Sequence, residues 1–505
     1  MKDLTLPALL TSGNSHHPAL IVPEGGPTVS YDVLQRQVER LAVTLQSLGI
    51  GRGDRVAMAL PNGIEVIILF FATTAAAATA APLNPAYTTD EFRFYLEDIE
   101  AKALIVPPGG GEQARAAAPT GTLTIEAASN AAGEVSLAVV RPSSLPPAHD
   151  TAAPDDIALF LHTSGTTSRP KGVPLSHANL LASAGNVAAT YALTADDVSL
   201  CVMPLFHVHG LVASTFATLH SGGTLVIPPR FSAGAFWPTV KTHQVTWYTA
   251  VPTIHQVLLA RAEEDQAPAA GTSGLRLIRS CSSSLAPATM SELEARFGVP
   301  VLEAYGMTEA AHQMASNPLP PGERRAGSVG CGTGVRVAIM DEAGNLLPPG
   351  GQGEVVIQGP NVTRGYHNNP EANATAFTHG WFRTGDQGIM DANGYLTLVG
   401  RLKELINRGG EKISPREIDE VLLTHPAVAE AVCFGVPDAK YGEEVSAAVV
   451  LRGDVTEAGL IAYCRERLAT FKVPKKVHLV AQIPRTATGK IQRRAVATAL
   501  ASTEA

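Results

Sequence analysis

A short apolar run, Ile157-Ala158-Leu159-Phe160-Leu161, passes directly into His162-Thr163-Ser164-Gly165-Thr166-Thr167-Ser168-Arg169-Pro170-Lys171-Gly172. No other stretch of the chain constrains the fold as much. The apolar run reads as a buried strand. Five hydroxyl residues, two glycines and a lysine then fall within eleven positions. A loop of that composition at a strand end offers backbone N–H groups and hydroxyls to an anion, and Lys171 adds a mobile point charge. The ligand that suits it is a polyphosphate. The P-loop spacing is not met, because Gly172 follows the lysine where Ser or Thr is required. A Walker-type NTPase is therefore not indicated.

The flanking sequence alternates helix and strand signals. Ser30 is placed to cap a helix through Val33, Leu34, Val38, Leu41, Leu45 and Leu48, with Gly49 as its left-handed stop. Arg55 to Leu60 and Ala103 to Val106 read as strands. Asp90 to Ile99 reads as a helix capped by Thr88 or Thr89. Strands separated by helices predict an α/β protein with parallel-rich sheets covered on both faces. The stretch from Gly109 to Pro147, rich in Ala, Gly and Pro, reads as variable surface. A boundary falls just after Gly400-Arg401, so that residues 1–401 form a large domain and residues 402–505 a small one of about a hundred residues. The small unit is expected to hold a helix from Pro415 to Thr424, strands Ala429 to Phe434 and Val445 to Leu451, and a helix from Thr456 to Leu468.

Composition narrows the function class. A chain of 505 residues, 45% hydrophobic, buries a large core. Net charge is −8 and no basic patch points to nucleic acid. Val66 to Ala78 is too short for a membrane span and reads as a packed helix. The five cysteines are scattered without a C-x-x-C pair, which indicates reduced thiols rather than zinc or disulfides. The first residues carry no secretory pattern and the last are not a peroxisomal S-K-L, so a cytoplasmic protein is expected.

Four further motifs follow in order: Tyr305-Gly306-Met307-Thr308-Glu309, Trp381-Phe382-Arg383-Thr384-Gly385-Asp386, Gly400-Arg401-Leu402-Lys403-Glu404 and Pro484-Arg485-Thr486-Ala487-Thr488-Gly489-Lys490. Together with the Ser/Thr/Gly loop the chain resembles, over nearly its whole length, the adenylate-forming superfamily of acyl-CoA synthetases, firefly luciferase and peptide-synthetase adenylation domains. Within it, Pro204 to Gly210, Trp247 to His255 and Arg279 to Ser282 are similar to oxalyl-CoA synthetases. The resemblance implies a large N-terminal domain with a small mobile C-terminal domain, ATP and coenzyme A as co-substrates, and Mg²⁺. A carboxylate first attacks the α-phosphorus of ATP; the thiol of coenzyme A then attacks the acyl-adenylate. Both steps need charge neutralisation and positioning rather than a protein nucleophile.

The resemblance also implies the site. Thr163, Ser164, Gly165, Thr166, Thr167 and Lys171 hold the β- and γ-phosphates; Thr308 bonds the α-phosphate and Glu309 ligates Mg²⁺. Asp386 accepts from the ribose hydroxyls, Arg401 assists at the ribose or phosphate, and Tyr305 stacks on adenine. Lys490 bridges carboxylate and α-phosphate during adenylation. Lys403 is the hinge. Gly409, Gly410 and Lys412 lie on the face that admits the pantetheine arm.

The acyl pocket carries polar groups where fatty-acyl relatives have apolar ones. A fatty chain would leave such donors unpaired, at roughly 1–3 kcal/mol each. By the oxalyl-CoA synthetase likeness His207, Ser282 and His312 hold the second carboxylate of a short diacid, while His209, His220 and His255 read as hydrogen-bonded core histidines. Malonate-activating relatives place an arginine just past the Thr-Glu pair; here Ala310, Ala311 and His312 follow, which fits a shorter acid. The expected function is ATP-dependent ligation of oxalate to coenzyme A. Malonate or another short or medium acid, a stand-alone enzyme loading a carrier protein, and a catalytically dead nucleotide-binding or chaperone-like protein are the alternatives. The presence of Lys171, Glu309, Asp386 and Lys490 together argues against the last. The partners are small molecules, with no nucleic acid or membrane, and the chain is expected as a monomer or homodimer.

Overall fold

The computed structural model describes residues 4–142, 146–163, 170–485 and 491–501. The chain folds as mixed α/β layers. One sheet of seven strands has five parallel strands at its centre, in the order Leu123–Ser129, Ala103–Val106, Arg55–Met58, Thr79–Pro82 and Ile157–Thr163. Antiparallel strands Val135–Arg141 and Lys171–Ser176 close its two edges. A second sheet of nine strands runs parallel from Val301–Met307 through Leu277–Ser280, Trp247–Ala250, Val198–Leu200 and Thr224–Val226 to Pro18–Ile21. Beyond Val301–Met307 it turns back through His312–Ser316 and ends at Cys331–Gly332.

The short central strands are buried on both faces, as Ala103–Val106 shows at all four positions. Between the two sheets lies the helix Ile64–Ala75, apolar nearly all round and buried from Val66 to Thr74. Each fully covered Ile, Leu or Phe of that helix contributes about 1.5–3 kcal/mol. The helix Tyr31–Ser47 buries only a stripe, Leu34, Val38, Leu41 and Leu45, and Gly49 stops it at φ +82°. Ser30 stands at its N-cap position but does not cap it: the hydroxyl donates to Asp32 instead. The helix Thr89–Asp98 is closed by a capping box between Thr88 and Glu91.

Among its described residues, the stretch read as variable surface holds regular structure. It forms the helix Glu112–Ala117 and the hairpin Leu123–Ser129/Val135–Arg141 on the sheet edge. Its second strand is exposed at most positions, so no alternating apolar pattern marks it in the sequence.

A third, antiparallel sheet holds Arg336–Met340, Gln352–Gln358, Trp381–Met390 and Leu396–Arg401. After the 3₁₀ turn Leu402–Glu404 the chain builds a last sheet entirely from later residues: Ile406–Arg408, Glu411–Ile413, Val428–Asp438, Gly442–Leu451 and Lys476–Leu479. Helices Pro415–Leu423, Glu457–Arg465 and Arg493–Ala501 cover it, and its apolar core is separate from the others.

Candidate active site

Strand register brings the polar residues together. The Ser/Thr/Gly loop joins two paired strands, and Thr163 lies opposite Lys171 across the ladder. Ser164, Gly165, Thr166 and Thr167 lie outside the described residues, as does Lys490. The loop's first residue is anchored: the His162 ring sits 2.9 Å from Asp98 and packs against Tyr95 and Phe160. Burial holds His162 below the ordinary histidine range, against the pull of Asp98.

Lys171 Nζ lies 4.5 Å from the centre of the Tyr366 ring, and the Tyr366 hydroxyl donates to Glu309 Oε1 at 3.0 Å. Thr363 N–H, at 2.7 Å, accounts for the Glu309 carbonyl. Glu309 is buried, and burial lifts its carboxyl above the usual range; Tyr366, Arg401 and Lys171 offset this only in part. Lys171 is lowered first by burial and then by the neighbouring charge of Lys403, while Glu309 raises it. Lys403 itself is exposed on the 3₁₀ turn.

Asp386 and Arg401 are cross-strand partners in register, with Arg401 Nε 3.3 Å from Asp386 Oδ1. The Tyr305 hydroxyl donates to Asp386 Oδ2. Tyr305 is thus held by its polar end, and burial together with Asp386 raises its phenol well above the ordinary value. Thr308 and Glu309 open a buried 3₁₀ turn directly after Tyr305-Gly306-Met307. Gly306 is required there: a Cβ would stand 2.0 Å from the carbonyl oxygen of His312 on the returning strand.

The acyl-side candidates gather at the carboxyl ends of central strands, where open α/β sheets bind their ligands. Arg279 lies opposite Thr249 in register, and His312 opposite Met307. His209 joins the three predicted residues. Its backbone N–H donates to His207 Nδ1 at 3.2 Å, its ring Nδ1 is 3.0 Å from Ser282 Oγ, and its ring stacks on His312 with centroids 5.1 Å apart. His209 is indeed a buried, hydrogen-bonded histidine, yet it touches every acyl candidate. His207 and His209 lie at the start of a π-helical segment, His209–Phe216, buried throughout. Wide turns of this kind recur at functional sites. Ser282 at φ +72°, Ala311 at +50° and His312 at +121° all adopt left-handed backbone without being glycine. Such strain concentrates where the surrounding structure fixes a side chain for use.

A cleft of about 660 Å³ runs between the large sheets and the final compact unit. Ser282, Tyr305, Asp386 and Arg401 line one wall; Arg485 and Arg493, which flank residues 486–490, line the other. Gly409, Gly410 and Lys412 are not on this wall. They sit exposed at the turn between Ile406–Arg408 and Glu411–Ile413, with Gly410 at φ +95° and open space around it. Arg279, Thr249, Gln313 and Tyr366 were missed by sequence reasoning. Arg279 stands in the quoted stretch Arg279 to Ser282, but its partners are 30 to 88 residues away.

Residues 11–367 match the family described as AMP-binding enzyme, and residues 417–490 match its C-terminal domain. The chain is 52% identical to an oxalate–CoA ligase of Arabidopsis thaliana over 479 residues, 92% of each chain. It is 45% identical to an oxalate–CoA ligase of Saccharomyces cerevisiae, covering 96% of this chain and 94% of the relative. ATP-bound MatB from Rhodopseudomonas palustris superposes with a TM-score of 0.87 at 32% identity, over 99% of both chains. With both of its regions matched in order and its fold shared end to end, the chain belongs to the AMP-binding enzyme family.

Proposed function

We propose that the protein activates oxalate with ATP and transfers the oxalyl group from oxalyl-adenylate to coenzyme A, releasing pyrophosphate and AMP. The observation that carries this reading is the polar cluster around Ser282, His209 and His312, built on a buried arginine rather than on apolar walls. Oxalate has almost no apolar surface, so its affinity must come from hydrogen bonds and charge. The relatives named oxalate–CoA ligase support the same acid.

Each residue's part follows from charge. Triphosphate and carboxylate are both anionic, so cations must converge before they react. Lys171, with the neighbouring Ser/Thr/Gly loop, takes the outer phosphates. Thr308 donates to the α-phosphate. Asp386, braced by Tyr305 and Arg401, accepts from the ribose hydroxyls. His207, Ser282 and His312 hold the carboxylate that does not react. Lys490 neutralises the one that does.

Glu309 fits Mg²⁺. A buried carboxylate lifted above its ordinary range is short of positive charge, and a hard cation favours carboxylate oxygen. When bound, the ion would draw charge from the phosphate oxygens.

The second step needs the thiol where Arg485 and Arg493 line the cleft. We infer that residues 402–505 turn about Lys403 against residues 1–401. That motion brings Gly409, Gly410 and Lys412 to the cleft in place of Arg485 and Arg493.

A pyrophosphate-release assay with ATP, Mg²⁺ and coenzyme A, run on oxalate, malonate, succinate, acetate and octanoate, tests the reading. Oxalate is expected to give the highest kcat/KM by at least tenfold, with formation of a coenzyme A thioester. Preference for octanoate would overturn the diacid pocket, and preference for malonate would move the substrate by one carbon.

A further inference from the structure

Arg279 is fully buried, and every acceptor around it is neutral. Nε donates to the Tyr191 hydroxyl at 2.8 Å. Nη1 donates to Thr249 Oγ1 at 2.9 Å, and Nη2 donates to Gln313 Oε1 at 2.9 Å and His312 Nε2 at 3.1 Å. Among the described residues no carboxylate pairs with it. A guanidinium does not lose its proton in a protein, and a buried charge without a counter-ion is costly. The fold therefore keeps a positive charge beside the acyl-side cluster.

The polarity of the surrounding hydrogen bonds follows from that charge, because arginine only donates. Arg279 Nη1 also approaches His209 Nε2 at 3.5 Å, which makes Nε2 an acceptor, and the Thr249 hydrogen completes it from 2.6 Å while Thr249 Oγ1 accepts from Arg279. With Nε2 accepting, the His209 proton sits on Nδ1 and is donated to Ser282 Oγ at 3.0 Å. The Ser282 hydroxyl hydrogen is thereby turned away from His209, on a side chain that lines the cleft. His312 Nε2 accepts from Arg279 directly, which places the His312 proton on Nδ1 as well. Both rings carry the tautomer that neutral histidine adopts less often.

We propose that Arg279 is the positioning residue for substrate specificity: through His312 directly, and through Thr249 and His209 to Ser282, it fixes the protons that the acyl pocket donates to an anionic acid. This rests on the small-diacid reading above. It explains how a pocket without an arginine past the Thr-Glu pair still recognises a second carboxylate: the cation lies one layer behind the donors.

Replacing Arg279 directly leaves Tyr191, Gln313 and Thr249 without their donor and risks the fold, so the link is cut at Thr249. Thr249→Val keeps shape and removes the hydroxyl that carries the short link, leaving only the 3.5 Å approach of Nη1 to His209 Nε2. Its oxalate KM should rise about tenfold with the ATP KM unchanged. In a Ser282→Ala background the same substitution should add nothing, because the relay then has no end. An equal fold-loss in both backgrounds, or an unchanged oxalate KM, overturns the proposal. The second readout is the ¹⁵N spectrum of the full-length histidine-labelled protein, assigned with His209→Gln and His312→Gln. Protonated Nδ1 is expected on both rings, and protonated Nε2 on His209 overturns the relay. The two readings fail separately. An enzyme inert to oxalate but carrying both Nδ1–H tautomers loses its substrate assignment and keeps the relay; an oxalate-active enzyme with the opposite tautomers does the reverse.

Discussion

Glu303 shows how much one buried carboxylate can set. It lies on the strand Val301–Met307, 1% exposed, with Oε1 accepting the backbone N–H of Leu285 at 2.9 Å. Oε2 has no partner among the described residues. Burial pushes its carboxyl up from 4.5 to about 7; Arg416 on the helix across the cleft lowers it and Glu420 on the same helix raises it. A raised acid means that the folded state holds its proton over a range in which the unfolded chain has lost it. The contribution of Glu303 to stability is therefore fully present below pH 4.5 and is lost as pH rises toward 7, by something on the order of 3 kcal/mol. Glu303→Gln keeps the acceptor and removes the titration. It should match the wild type at pH 5 and melt a few degrees higher at pH 8. Two melting curves displaced by the same amount at both pH values would show that Glu303 titrates normally. Residues of this kind are hard to read in a sequence. The motif residues Thr308, Glu309 and Asp386 announce themselves by their neighbours, whereas Glu303 and Arg279 differ from ordinary charges only by what a distant strand lays over them.

At the scale of elements, the antiparallel pair Val301–Met307 and His312–Ser316 carries most of the site, because it holds Tyr305, Thr308, Glu309 and His312 within one tight return. Its closeness depends on Gly306. A methyl group there meets backbone that cannot swing aside, so Gly306→Ala should cost about 1–3 kcal/mol. It should also lower the rate of pyrophosphate release at least tenfold by shifting His312. Wild-type melting and rate would mean that the return is looser than its 2.0 Å clearance implies. The elements legible in the sequence were those with one-sided burial or plain caps, such as Tyr31–Ser47, Thr89–Asp98 and Pro415–Leu423. The hairpin Leu123–Ser129/Val135–Arg141 was not, since its outer strand has no buried face to impose a pattern. Neither was the π-helical segment His209–Phe216: a run buried at every position has no periodicity to betray how wide its turns are.

Across the whole molecule the cleft meets only one side of the small unit. Arg485 and Arg493 line it now, while Gly410 stands in open space on another side of the small unit. If the two faces serve the two half-reactions, Lys490→Ala should abolish pyrophosphate release and largely spare thioester formation from pre-made acyl-adenylate. Gly410→Leu should do the reverse. Equal losses in both assays for either variant would show that one face serves both steps. The connection between the parts is short, little more than the turn Leu402–Glu404. A reactant on so brief a leash is present at millimolar effective concentration wherever its partner goes. Severed at that turn, the two pieces at micromolar levels would meet roughly a thousand times less often, and an excess of the smaller piece would restore what the cut removed. If that turn is the hinge, it is also a dosing device: a catalytic surface could leave after one step and still be certain to return.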